Sequence, residues 1–317
     1  MRKMGVRDSA DGAQAGGSGS RAGRTAHWGA APPANYRRRR ILNHVMTAAA
    51  VVSISVVMVP LADIVYMFAL RGLEVISWEK LTTITVGTGV DFVGGGIANA
   101  IAGTGLLVGL ATLITVPLGL VGGIYMAEFS NNNRLSEALR FASDVMAGNS
   151  SVVVGFAGYL VFVLYFGWGY SALAGALTLS ILMFPYVFRT TELALRKVPN
   201  DIRDGAKALG STKSTTINRL TLRFAMPGIL TGILLSVSIA LSETAPLLFT
   251  ASFSNYLPTS SLVHNPVGYL TYVVYVYSLL PSSSAHDLAY LSSFLLIATI
   301  FTINVVARVV LGRMSKV

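Results

Sequence analysis

PNDIRDGAKALGSTKSTTINRLTLRFAMPGI, residues 199 to 229, is a polar and basic island in a chain whose other long segments are apolar. The island carries its own helix punctuation. Asn200 or Asp201 is placed to cap a short helix through Leu209, and Gly210 supplies a left-handed stop. Ser211 or Thr212 is placed to cap a second helix from Lys213 toward Phe224, ahead of Pro227. A helix, a glycine turn and a second helix set between apolar runs must project from one side of a membrane and fold against something there. Gly205 and Gly210 have the spacing of a phosphate-binding loop. Ser211, however, stands where that loop needs lysine, and no strand precedes the turn, so the chain shows no ATP site of this kind.

The flanks place the chain in a lipid environment. Of 317 residues 53% are hydrophobic and 12% charged, with a mean hydropathy of +0.63, against about 25% charged residues in soluble domains. Six segments are long enough to cross a bilayer, at about 42–62, 101–125, 144–166, 171–188, 229–250 and 288–311. The expected fold class is therefore all-α, a polytopic membrane protein of six transmembrane helices. Residues 1–40, a Gly/Ala/Ser/Arg stretch ending in Arg37 to Arg40, have too little apolar surface to fold and are expected to be a disordered basic tail. Residues 41–317 form the transmembrane domain, with a polar loop at about 190–226. The first apolar segment is longer than a signal sequence and lacks a small-residue cleavage site, so it is read as a retained helix.

Net charge is +10, a value that also suits a nucleic-acid binder. Its distribution says otherwise. Nine basic residues precede Ile41, two lie between Ala127 and Phe141, eight run from Arg189 to Arg223 and three follow from Arg308, which accounts for 22 of the 24. The remaining segments hold only Arg71 and Lys80. The positive-inside rule then puts both termini and the island in the cytoplasm of a cell-membrane protein, and no nucleic-acid partner is needed. Cysteine is absent and His27, His44, His264 and His286 are scattered, so no metal site, no cofactor and no catalytic residue is expected.

Within the spans, glycine and proline are dense, among them Gly103, Gly105, Gly109, Pro117, Gly119, Gly122 and Gly123. In a bilayer such residues let helices approach closely and bend. In the fifth span Gly228, Gly232, Ser236 and Ala240 recur every four residues, and Glu243 follows on the same stripe seven after Ser236. A small-residue stripe faces protein, which places Glu243 toward the bundle interior. It is the one acid well inside a span, since Asp63, Glu128 and Asp144 fall near predicted ends, and an intramembrane acid is a candidate functional or interhelical pairing residue.

The run Asp204-Gly205-Ala206-Lys207-Ala208-Leu209-Gly210, followed by Leu220 and Leu222, resembles the EAA loop of ABC importer permeases. Asp204 stands in place of the usual Glu, Gly205 in place of the first Ala, and Arg223 in place of the Pro that closes the motif. A narrower resemblance covers most of the chain after residue 40. The segments GGGIANAIAGT (94–104), VPLGLVGGIYMAEF (116–129), FASDVMAGNSSVVVG (141–155) and above all SETAPLLFTA (242–251) are similar to the PstA-type permease family of bacterial phosphate ABC importers. Ile239 occupies a position where that family commonly has Arg, and Ser150 one where it has Pro.

The resemblance implies a permease that moves inorganic phosphate into the cytoplasm by alternating access. Its implied partners are a second, homologous permease of the PstC type, a dimer of ATP-binding subunits and an extracytoplasmic phosphate-binding protein. The implied coupling residues are Asp204, Gly205, Ala206, Leu209 and Gly210, forming a cytoplasmic coupling helix. Ser242, Glu243 and Thr244 are the implied substrate path. No covalent chemistry is asked of the chain, a non-catalytic subunit on this reading. Permeases for sulfate, molybdate or phosphonate would keep the island, and a secondary transporter would need no nucleotide-binding partner.

Overall fold

Long apolar runs with no water to pair their backbone must close their own hydrogen bonds, and helices dominate the computed structural model, which describes residues 36–86, 94–130 and 133–314. The chain divides into two units at Pro60 and Leu61. In the first, the described residues are the opening part of helix α1 (Tyr36–Val75), whose large apolar side chains, such as Val52 and Val56, are exposed. Arg37 to Arg40, assigned to the tail from sequence, are in the first turns of α1; the rest of the proposed tail lies outside the described residues.

The second unit continues α1 and then runs through α2 (Trp78–Thr82) and a short hairpin of β1 (Thr85–Val86) and β2 (Gly94–Gly95). Helix α3 (Ala98–Ile124) ends in a wider π turn, Tyr125–Phe129, and is followed by α4 (Arg134–Gly148), α5 (Ser151–Gly158, with a π continuation to Tyr165) and α6 (Ala172–Arg196). The island forms α7 (Asn200–Ala208) and α8 (Lys213–Thr216), which passes through a π turn into α9 (Leu222–Ser242). Short helices α10 (Ala245–Thr250) and α11 (Leu270–Tyr277) precede α12 (Ser283–Met314).

Among the described residues, five helical segments are long and apolar enough to cross a membrane. The expected third span, 144–166, is instead a pair: α4 and the α5 segment meet at Asn149 and Ser150 with a bend of 106°. Counted as one broken span, the pair brings the number to six. The expected fifth span, 229–250, is also broken, because α9 stops at Ser242. The two residues that follow leave the helix, and α10 lays Pro246 on Gly155 of α5, where a Cβ would come within 2.6 Å of the proline backbone.

Helix α6 is the most buried of the long helices and packs on α3, α4, α5, α9 and α10. Small residues let it do so. Gly119 and Gly123 of α3 meet Val187 and Thr191, while Gly228 and Gly232 of α9 meet Ala194 and Thr190. The four-residue stripe on α9 therefore faces protein as the pattern predicts, with Gly232, Ser236 and Ala240 buried. Around this seam, Leu107, Leu179, Met183, Leu241 and Leu247 form the central core. A second cluster, including Ile97, Leu270, Val273, Leu288 and Leu291, closes one end, and a third, including Leu195, Val198, Ala225 and Ile229, closes the basic end.

Candidate functional site

Two regions hold the residues singled out from sequence. At the basic end, Pro199 rather than Asn200 or Asp201 precedes the first helical residue, with φ −57° and ψ 142° and no side-chain cap. The proline ring fixes that entry, so α7 begins one residue early and Asp201 sits in its first turn, where a carboxylate complements the helix dipole. The second helix starts as expected: Thr212 Oγ1 accepts a hydrogen bond from Thr215 N at 3.3 Å. Gly210, at φ +75°, is the left-handed stop, fixed by Ser211 N donating to Ala206 O at 3.0 Å. Pro227, expected to separate the island from the fifth span, lies inside α9.

Along α7 the side chains have separate tasks. Ala206 is buried against the bundle, while Leu209 is 90% exposed. Asp204 is exposed and pairs with Lys207 at 2.9 Å. Gly205 has nothing within 4 Å of the position its Cβ would take, so no contact within this chain requires glycine there. Gly205→Ala is accordingly expected to stabilise α7 by about 1 kcal/mol and to slow amide exchange across it about fivefold. Hydrogen-exchange mass spectrometry of the purified protein checks this.

The island also makes contacts that its own sequence does not announce. Arg203 lies 2.8 Å from Glu128 of the π turn after α3 and donates from Nη2 to Leu195 O at 2.8 Å. Lys213 Nζ sits 4.3 Å above the Phe129 ring. A cavity of about 640 Å³ opens between these residues, lined also by Asn200, Asp204 and Lys207. Beside it, Glu192 accepts from Arg196 at 2.9 Å and pairs with Arg140 at 3.4 Å, and Asp144 pairs with Arg189, so α4 and α6 are cross-linked by charge.

The second region is the break in the fifth span. Ser242 ends α9 with its hydroxyl bonded back to Ile239 O at 2.9 Å. Glu243, expected to continue the small-residue stripe, is the extended residue after the helix, at φ −74° and ψ 129°. It leaves the stripe because the helix ends before it. Thr244 precedes α10, and its carbonyl accepts from Leu248 N at 3.1 Å. The opened backbone is not left unpaired, since Thr271 Oγ1 of α11 donates to Glu243 O at 3.0 Å. A cavity of about 150 Å³ faces the glutamate, with Asn149, Ser151 and Tyr186 as its polar lining beside Ile239 and Leu182. Its lining includes no Lys or Arg among the described residues, and the start of α5 at Ser151 opens on it. Asn149, Ser151 and Tyr186 were not singled out from sequence; the run Asn149-Ser150-Ser151, all helix-capping types, was the available signal.

Residues 119–316 match the family described as binding-protein-dependent transport system inner membrane component. The chain belongs to that family. The permease is 39% identical over 273 residues to the phosphate transport system permease protein PstA 2 of Mycobacterium bovis, covering 86% of this chain and 89% of that protein. Against the phosphate transport system permease protein PstA of Yersinia pestis it is 37% identical over 254 residues, 79% and 83% of the two chains. In fold, the permease is similar to a chain of the MetNI methionine ABC transporter in an inward-facing conformation. The TM-score is 0.56 at 13% identity, with 69% of the permease and 95% of that chain covered.

Proposed function

We propose that this chain is the permease subunit of an ATP-driven importer that carries inorganic phosphate into the cytoplasm, with both termini and α7 on the cytoplasmic side. Its partners on this reading are a second homologous permease of the PstC type, two ATP-binding subunits and an extracytoplasmic phosphate-binding protein. The observation that carries the reading is its likeness, over most of its length, to relatives named as phosphate transport permeases. The charge distribution supports the orientation. The exposed tip of α7 at Leu209, held by the left-handed Gly210, supports docking of an ATP-binding subunit at Asp204, Gly205, Ala206, Leu209 and Gly210. The broken span supports Ser242, Glu243 and Thr244 as part of the substrate path, because irregular backbone at membrane depth is tolerated where it is buried or lines a cavity.

Glu243 and phosphate are both anionic, so the carboxylate needs a specific use. Phosphate near neutral pH keeps a P–OH that a carboxylate accepts as a charge-assisted hydrogen bond, and sulfate has none to give. Positive potential comes from the partner permease and from helix starts such as α5. Reconstitution of the complete complex tests the whole reading. ATP hydrolysis is expected to rise with phosphate-loaded binding protein and with no other anion, and equal stimulation by a sulfate-loaded protein overturns the substrate assignment. In the same complex Gly210→Val, which forces a β-branched side chain into φ +75°, costs about 1–2 kcal/mol at the turn. It is expected to lower the phosphate imported per ATP hydrolysed; an unchanged ratio removes the turn from the docking surface.

A further inference from the structure

We infer that Arg203 is the positioning residue through which movement of α7 reaches the helix bundle. The inference rests on the reading of α7 as the seat of the ATP-binding subunit and deepens it. A helix that receives a push must be fastened to what it moves, and α7 has few fastenings. Ala206 is buried and Ile202 packs beside Leu195 and Val198, but these are small apolar contacts that slide. Asp201, Gly205, Ala208 and Leu209 are exposed. Asp204 and Lys207 pair with each other on the helix itself.

Arg203 differs from every other charged residue described on α7, because its side-chain bonds leave the helix. Its guanidinium bonds Leu195 O, in the last turn of α6, and lies against Glu128, in the π turn that ends α3. Both contacts are 2.8 Å, and the Arg203 and Glu128 side chains are 20% and 8% exposed. An ion pair with so little water around it holds its geometry, since separating the partners leaves a buried charge. The two helix ends that Arg203 grips are themselves joined, because Arg196 Nη2 donates to Met126 O at 3.0 Å. Above them Gly119 and Gly123 bring α3 into direct contact with α6. Force applied to α7 through Arg203 therefore moves α3 and α6 as one body, and α6 is the helix against which α4, α5, α9 and α10 pack. Both contacts are made by one nitrogen, Nη2, which the planar guanidinium holds at a fixed place between Leu195 O and the Glu128 carboxylate, whereas an ammonium on a flexible lysine stem has no such fixed frame.

The test uses the assembled complex in proteoliposomes with phosphate-loaded binding protein, and reads phosphate imported per ATP hydrolysed. R203M/E128L removes both charges, so neither is stranded, and R203K keeps the charge without the planar guanidinium that places Nη2. The double variant is expected to co-purify with its partners and to hydrolyse ATP within about twofold of the parent, while the ratio falls about tenfold or more, the scale of a coupling between distinct sites. R203K is expected to fall between. A parental ratio in both overturns the proposal; if the double variant does not assemble, R203K alone decides it in the same way. Leu209→Asp separates the two levels. Loss of the ATP-binding subunit from that variant, with a parental ratio in the Arg203 variants, sinks only the role of Arg203. Retention of the ATP-binding subunit sinks the docking reading, and the role of Arg203 with it.

Discussion

Gly103→Ala is expected to destabilise the isolated subunit by about 3 kcal/mol, at the upper end of what overpacking one methyl group costs, whereas Gly105→Ala, two residues away on the same helix, is tolerated. A Cβ at position 103 would overlap the carbonyl oxygen of Gly268 and lie 2.5 Å from Val267 Cγ1. The Gly268 carbonyl cannot step aside cheaply. Leu270 N is held by Thr104 Oγ1 at 2.9 Å, and Asn99, fully buried, holds the same loop through Ser254 O at 2.8 Å. At position 105 there is nothing within 4 Å, and alanine gains up to about 1 kcal/mol of helix propensity. Thermal midpoints in detergent, followed by size-exclusion fluorescence, separate the two. A Gly103→Ala midpoint equal to the parent contradicts the packing described between α3 and the segment ahead of α11.

Glu243→Gln carries the second large effect. On the proposed path the carboxylate offers acceptors only, and it selects an anion that still has a proton to donate. Glutamine removes the charge and adds a donor, so it favours anions with or without that proton. Phosphate uptake by the complete complex is expected to fall about 10- to 100-fold, the worth of one hydrogen bond to a charged group at about 1.5–3 kcal/mol. Sulfate is expected to begin to compete. Labelled uptake with and without excess sulfate measures both. Unchanged uptake together with unchanged sulfate rejection takes Glu243 off the path.

The apolar lengths were legible in the sequence because bilayer thickness sets them, and the four-residue stripe because helical geometry puts residues four apart on one face. The breaks were harder to read. Ser242 to Ala251 is apolar enough to continue α9, and only Pro246, at the start of α10, marks a new helix. Asn149, Ser150 and Ser151 likewise sit in a run whose average polarity hides a 106° turn. Within the island, the turn at Gly210 and the cap at Thr212 were readable because they are local, and the start at Pro199 was missed by one residue because proline set the backbone without a side-chain cap. Glu128 and Arg203 lie far apart in the chain, and no local pattern in either segment points to the other.

The seam between α6 and α9 has a grain. Thr190 presses into Gly232, and small residues recur on α9 at 228, 236 and 240, which at 1.5 Å per residue puts them about 6 Å apart along the helix. Across the seam the helices can come no closer, because Thr190 already fills the space at Gly232 and Ala194 that at Gly228. A one-turn slip of α9 along α6 would carry Thr190 from Gly232 to the place of Gly228 or Ser236.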